Sequence, residues 1–474
     1  MGPAPFRALA ASALLLLNAC ATMSAPDAEL YYNFTLLDPA TQARTENAYM
    51  LVADGRIVRV GRGTPAIADP SRAHDMQGAY ALPGLIDTHA HVTLGRITVR
   101  MENGAPVPVA TSEDEITTRN ARMLVAHGVT TIRNPAGDTA ANARYATNIT
   151  SGEWLGPTAL SAGTLLDTTR FDGLSIVVTD SASIERQVAA QAAAGMDYVK
   201  LYHGLNEEQL AAGVEAAHRH GLRAVAHTGD VTWTRAAELG VDAIVHVMPI
   251  AADSLPQDRR DGYQDAHIKG AHAFYTWWER ADLGSPEIHD MIAALAEHDV
   301  TVDLTLITFM KTFWGDDDAV REAGAEFAHP LVRENWRVFR FDTGWTPENY
   351  ARARAVWPKI QRFTRMLYEA GVPLTLGTDL ANPFVSPGHD LHTEMRLHQE
   401  AGIPAWAVLR MATSGAAETL GLADSIGRIA RGYEADVVFT AGDPSQDVAN
   451  IRGVRAVLLD GQAHDAQALR ERTP

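Results

Sequence analysis

From Leu85 to Leu420, short apolar runs alternate with longer amphipathic stretches. Val129-Thr130-Thr131-Ile132, Asp197 to Tyr202, Leu222 to Ala226 and Val241 to Val245 read as strands. Glu113 to His127, Asn206 to His220 and Thr232 to Leu239 carry helical spacing between them. Strands alternating with helices imply βαβ units and a parallel sheet. About eight such units are counted, which favours a (β/α)₈ barrel over a doubly wound sheet. No glycine-rich phosphate loop follows the first strand, which also argues against a nucleotide fold. Ser112-x-x-Glu115 predicts a capping box at one helix start.

The ends follow a different rhythm. Tyr49 to Val52 and Ile57 to Gly61 are apolar strands joined through Asp54-Gly55, the chemistry of a tight hairpin. Strand patterns return at Ala435 to Phe439 and Val454 to Leu459. The two ends, 27–84 and 425–465, are therefore expected to build one small β-sandwich domain around a barrel spanning 85–424. Between about 248 and 358 the alternation loosens to one recognisable strand, Val300 to Thr305, and six of the nine tryptophans lie there: Trp277, Trp278, Trp314, Trp336, Trp345 and Trp357. A long insertion on a barrel's C-terminal face is expected to form a substrate lid, with the indoles as an apolar pocket wall. The rival reading is a second helical layer or a contact between copies in a homo-oligomer.

The 474 residues exceed a barrel of about 250 residues and leave room for the accessory domain. The 46% apolar content supplies a large core, and a formal charge of −18 disfavours nucleic acid and anionic lipid as partners. Cys20 is the sole cysteine, which leaves no intramolecular disulfide and no thiolate metal site. Residues 1–19, with Arg7 ahead of an apolar run from Ala8 to Leu17, read as a secretory signal peptide too short to span a bilayer.

Chemistry gathers at the strand ends. In Leu85-Ile86-Asp87-Thr88-His89-Ala90-His91, positions two apart share a face, so His89 and His91 point together towards the barrel axis. In Tyr198-Val199-Lys200-Leu201-Tyr202 the apolar Val199 and Leu201 face the helices, and Lys200 then points inward. The chain has four lysines against 36 arginines, and a buried ammonium is costly, so an inward lysine needs a reason. As a neutral amine it can add CO₂ to give a carbamate, an anionic ligand able to bridge two metals. An ion pair or a Schiff base are the alternatives. His227 and His246 each end an apolar run, and Leu374 to Asp379 ends on a carboxylate able to ligate a metal or accept a proton.

The succession HxH, Lys, His, His, Asp closely resembles the amidohydrolase superfamily, from about Leu82 to Gly461. It is most similar to imidazolonepropionase-like proteins and their prolidase-like metallo-dipeptidase relatives. Gly388 to Met395, Ala412-Thr413-Ser414 and Ile426 to Asp436 look like C-terminal signatures of that group. The resemblance implies a TIM-like barrel whose metal ligands are His89, His91, Lys200, His227, His246 and Asp379. His89, His91 and Asp379 would hold one divalent ion, His227 and His246 a second, and a CO₂-derived carbamate on Lys200 would bridge them. Zinc fits the nitrogen and oxygen donors best, and manganese or cobalt is compatible. Asp379 would be the catalytic residue, taking a proton from water and passing it to the leaving nitrogen.

The implied reaction is hydrolysis of an amide bond in a small molecule, such as a dipeptide or N-acyl amino acid with an apolar group. A lactonase, phosphotriesterase or cyclic amidase on the same ligands is the alternative, and a non-catalytic envelope binding protein a remote one. Arginines 321, 333, 337 and 340 are unranked candidates for a substrate carboxylate. Leu17-Asn18-Ala19-Cys20 resembles a bacterial lipobox, which implies lipidation at Cys20 and a cell-envelope location. Ala21 after the cysteine leans towards the outer membrane, and this anchor would be the chain's only membrane contact.

Overall fold

The computed structural model describes residues 28–263 and 270–472. The signal peptide and Cys20 lie outside the described residues.

The eight barrel strands run in chain order. The first, Leu85–Asp87, pairs in parallel with the second, Val129–Asn134, and that with the third, Thr158–Ser161. A parallel bridge between Ala162 and Tyr198 joins the third to the fourth, Tyr198–Leu201. Arg223–Ala226, Ala243–Val245, Thr301–Asp303 and Leu374–Thr375 follow as strands five to eight, each parallel to its predecessor. A bridge between Ala90 and Leu380 closes the ring. Each parallel crossover runs through helix, such as Asp114–Ala126 after the first strand and Glu207–Arg219 after the fourth. The (β/α)₈ architecture read from the alternation is therefore the architecture observed.

Period two along the strands sorts the core into two layers. Val199 and Leu201 pack outward with Ala224 and Ala226 against the helices. Tyr198, Val225, Ala243 and Val245 point inward with Ile86 and Ala162. The helix Ser414–Leu420 seals this inner layer from below with Ala416, Ala417 and Leu420, and Ile426 joins them.

A seven-stranded sheet draws Glu29–Asp38, Ala43–Ala53, Arg56–Arg62 and Ala73–Pro83 from the N-terminal side. Val437–Thr440, Val454–Leu459 and Gln462–Asp465 come from the C-terminal side, and Val437–Thr440 pairs with Ala73–Pro83. The sheet folds over a shared core in which Met50, Val52 and Ile57 meet Val437, Phe439 and Leu458. Asp54 and Gly55 both take positive φ, 49° and 71°, as the hairpin between Ala53 and Arg56 requires.

Two local expectations are corrected. The helix Asp114–Ala126 has Glu113 at its N-cap and no side-chain cap bond, so Ser112-x-x-Glu115 is not a capping box. Glu113 is drawn away: it accepts from Thr111 Oγ1 at 2.7 Å and from Arg96 Nε at 2.9 Å. The loosened segment is not one insertion, because barrel strand seven and the helix Pro286–Glu297 lie within it. It divides into one excursion after strand six and another after strand seven. The second leads into the long helix Pro347–Glu369, capped reciprocally by Thr346 and Asn349.

Candidate metal centre

The C-terminal ends of the barrel strands gather every ligand candidate named from sequence. His89 and His91 lie just beyond strand one, and both Nε2 atoms sit 3.3 Å from Asp379 Oδ1. The ligating atoms of these three residues fall within 4.8 Å of one another, a spacing that one ion can span. His246, beyond strand six, places Nδ1 3.6 Å from Asp379 Oδ2, and its ring lies 4.8 Å from His89 and 4.6 Å from His227. Lys200 points inward and is buried, as the strand phase predicts.

Backbone strain holds part of this arrangement. His246 and Asp379 have φ of 69° and 59°, a region that non-glycine residues adopt at a cost of order 1–2 kcal/mol each. Hydrogen bonds anchor both: His246 N donates to Asp303 O and Asp379 N to His89 O, each at 2.7 Å. Gly377 is required beside them, since a Cβ there would fall 2.3 Å from Asp303 Oδ2 and 2.4 Å from His89 Cβ.

The hydrogen bonds also fix which ring nitrogens are free. His91 Nδ1 donates to Ala136 O at 2.8 Å, which leaves Nε2 facing the cluster. His246 Nδ1 bonds Thr305 Oγ1 at 2.9 Å. His89 Nε2, His227 Nδ1 and Lys200 Nζ are buried without a hydrogen-bond partner. Buried polar atoms are nearly always paired, and each unpaired one costs about 1–3 kcal/mol. Unpaired ligating atoms beside the His89, His91 and Asp379 group fit the donor set of a metal ion. Burial holds His89, His227 and His246 well below the ordinary histidine pKa, so their lone pairs are free. Burial also pushes Lys200 down to about 7, opposed by the Asp379 carboxylate. Its neutral amine, the form that reacts with CO₂, is therefore well populated near neutrality.

Sequence reasoning missed the residues behind the ligands. Asp303, at the end of strand seven, is fully buried with Oδ2 3.3 Å from His89 Nδ1, close enough for attraction although not aligned as a hydrogen bond. Arg133 reaches Asp303 Oδ2 at 3.3 Å while its Nε donates to Thr88 O at 2.7 Å. Asp87 accepts from Thr378 Oγ1 at 2.7 Å and from His89 N at 3.0 Å, which ties strand one to strand eight. The run Thr301-Val302-Asp303 could have shown Asp303, since period two puts an acid at an inward strand end. The Gly388 to Met395 motif serves architecture: Glu394 accepts from Leu306 N and Ile307 N, capping the helix Leu306–Phe313, and buried Asp390 faces Lys311 at 3.7 Å.

A cavity of about 630 Å³ rises above the cluster. No tryptophan lines it among the described residues, which corrects the indole-wall expectation. Trp277 and Trp278 are fully buried, and their Nε1 atoms donate to Ala251 O and Val247 O, so they brace the excursion from behind. The wall is made of phenylalanines instead: Phe171, Phe274, Phe309, Phe339 and Phe341. The four arginines flagged from sequence line a separate surface hollow of about 430 Å³ with Trp336 and Phe384.

Solved structures show the same fold. A bottromycin amidohydrolase aligns with a TM-score of 0.68 at 23% identity, over 94% of this chain and 89% of that one. A Xaa-Pro dipeptidase with bound methionine aligns at 0.67 and 21%, over 92% and 100%. Ochratoxinase from A. niger aligns at 0.65 and 18%, over 92% and 95%. An imidazolonepropionase from Caldanaerobacter subterraneus subsp. tengcongensis is 45% identical over 47 residues, which span 10% of this chain and 11% of that curated relative. The amidohydrolase family profile matches residues 80–463, most of the sequence and the whole of the barrel, and the chain belongs to the amidohydrolase family.

Proposed function

We propose that the protein is a metal-dependent amidohydrolase that cleaves a carbon–nitrogen amide bond in a small molecule bearing an apolar group. The observation that carries this reading is the buried, unpartnered Lys200 Nζ beside His89, His91, His227, His246 and Asp379. In this reading His89, His91 and Asp379 would hold one divalent ion and His227 and His246 the other, with a carbamate on Lys200 as their shared ligand, and zinc would match the donors best. Ions held there lower the pKa of bound water towards neutrality and polarise a carbonyl.

The chain's own residues do the rest. Asp379 lies between the His89–His91 pair and His246, in reach of a proton released at the cluster, and can pass it to the leaving nitrogen. Asp303, itself held by Arg133, stands behind His89 in the place that the partner of a metal-bound histidine takes. Tyr202 and His203 line the cavity beside His227, where a substrate's polar atoms would lie. For residues 1–20 we propose a cleaved signal and lipidation at Cys20. Palmitate labelling that Cys20→Ala abolishes would support it, and label retained by the variant would remove it.

The test of the main reading is metal analysis of purified protein together with a panel of amides, lactones and phosphotriesters. Close to two divalent ions per chain and amides as the best substrates are expected. A protein that binds no ion, or that prefers lactones or phosphotriesters, contradicts the reading.

A further inference from the structure

The separate hollow of about 430 Å³ has a chemistry that amide cleavage does not use. Arg321, Arg333, Arg337 and Arg340 all line it, in a chain whose formal charge is −18. It shares no lining residue with the cavity above the ligand cluster, although Arg340 sits between Phe339 and Phe341 of that cavity's wall.

Two of the guanidiniums are held in place. Arg340 forks onto Asp342, with Nε to Oδ1 at 2.8 Å and a second nitrogen to Oδ2 at 2.5 Å. Asp342 is buried and also accepts from the Tyr350 hydroxyl at 2.6 Å. Arg321 pairs with Asp318, and Arg321 and Arg340 both donate to Gly315 O, at 3.3 and 3.2 Å. Both also stand over the Phe384 ring, 5.8 and 5.3 Å from its centroid. Phe384 takes that place with φ of 66°, a conformation unfavourable for an aromatic residue. Asp318 and Asp342 lie outside the lining, and a guanidinium has more N–H donors than these contacts use.

The other two guanidiniums are exposed. Arg333 and Arg337 follow at i and i+4, from the helix Pro330–Asn335 into the turn that continues it. Neither pairs with a carboxylate among the described residues. Like charges at this spacing repel, and an anion between them removes the repulsion. Trp336, also in the lining, is 4% exposed, and its Nε1 has no hydrogen-bond partner among the described residues. Glu322 and Glu334 are the carboxylates of the lining, so four positive groups meet two negative ones, a balance that suits a dianion.

We propose that this hollow binds a phosphate monoester on a flat apolar carrier. Such an ester has a charge of about −1.5 to −2 at neutral pH and three acceptor oxygens, which serves several guanidiniums at once. Arg333 and Arg337 with the free donors of Arg321 and Arg340 take the phosphate, and the Phe384 and Trp336 rings take the carrier. The site stands apart from the catalytic cavity and does not depend on the hydrolytic reading.

The test is calorimetric titration of phenyl phosphate into the metal-loaded full chain at about 0.15 M salt. Saturable binding with a Kd below about 1 mM is expected. Replacing both exposed arginines, Arg333→Gln with Arg337→Gln, should weaken it at least about tenfold with Tm unchanged, and Arg337→Gln alone by about threefold. Affinity unchanged in both variants places the anion elsewhere, the catalytic cavity included, and overturns the proposal, as does the absence of saturable binding. Inorganic phosphate should bind more weakly, because it leaves the rings uncovered, and equal affinity overturns the flat carrier. Benzene-1,3-dicarboxylate bound more tightly than phenyl phosphate overturns the phosphate assignment. None of these outcomes bears on amide hydrolysis.

Discussion

The two ends of the barrel interior are built from the same eight strands and have opposite contents. The lower end holds Ile86, Tyr198, Val225, Ala243 and Val245, closed by Leu420 and Ile426. The upper end holds four histidines, a lysine and two aspartates. Burying one leucine-sized side chain stabilises by about 1.5–3 kcal/mol. The lower end therefore contributes stability that offsets the strained upper end, where His246 and Asp379 adopt unfavourable backbone conformations. A barrel can concentrate reactive groups at one end because the other end is an ordinary hydrophobic core.

Substitutions at the two ends should separate accordingly. His227→Ala or His246→Ala should lower kcat/KM roughly a thousandfold and reduce bound metal, with little loss of thermal stability in the metal-free protein. Leu420→Ala should do the reverse: about 2–5 kcal/mol of stability lost, with metal content and kcat/KM per folded molecule unchanged. Metal analysis, kinetics and thermal melts on these variants check the contrast. If Leu420→Ala loses metal, or if both histidine variants keep full occupancy, the division between the ends fails.

A smaller effect sharpens the boundary. Asp303→Asn keeps the shape of the group behind His89 and removes its charge, so metal affinity should fall by about 10–100-fold while the fold persists. A chelator titration measures it, and an unchanged midpoint would mean that Asp303 is only packing. Trp277→Phe, behind the wall, should lower Tm without changing the ratio of kcat/KM between large and small amides. A shift in that ratio would return the indoles to the pocket.

The smallest effect lies outside the barrel, at the small domain. Burial pushes Asp436 up to about 7, while the Asp460 backbone N–H donates to its Oδ1 at 2.9 Å. A carboxyl raised in the folded state binds its proton more tightly there than in the unfolded chain. Its contribution to stability is full below about pH 4 and is lost as pH rises through about 7. Asp436→Asn should therefore raise Tm by a few degrees at pH 8 and have little effect at pH 4. Equal shifts at both pH values would assign the effect to packing.

Much of this contrast is legible before folding. His89, His91, Lys200, His227, His246 and Asp379 stand out because each is a polar residue where an apolar strand ends; period two turns Lys200 and His227 inward, whereas positive φ turns the backbone at His246 and Asp379, which no strand pattern specifies. Asp303 and Arg133 share the inward phase but have no recurring motif around them, and Asp87, inside the His89–His91 motif, acts through Thr378 and the His89 backbone rather than at the cluster. The wall was misread for another reason. Tryptophan content marks where large area is buried, but which aromatic faces the cavity depends on how the two excursions pack. The phenylalanines outline the pocket and the indoles hold its back. Arg340 likewise lines the separate hollow, held on Asp342 and over the Phe384 ring, contacts that residue spacing does not specify.

The central claim is that Lys200 completes a two-metal site as a carbamate, and its most direct test is rescue of Lys200→Ala. The variant should lose bound metal and nearly all turnover. Propionate or acetate should restore part of both by occupying the place of the carbamate between the ions. Lys200→Arg should resist rescue, because a guanidinium keeps its charge and fills the space. Two ions per chain and near wild-type turnover in Lys200→Ala without added acid would contradict the account.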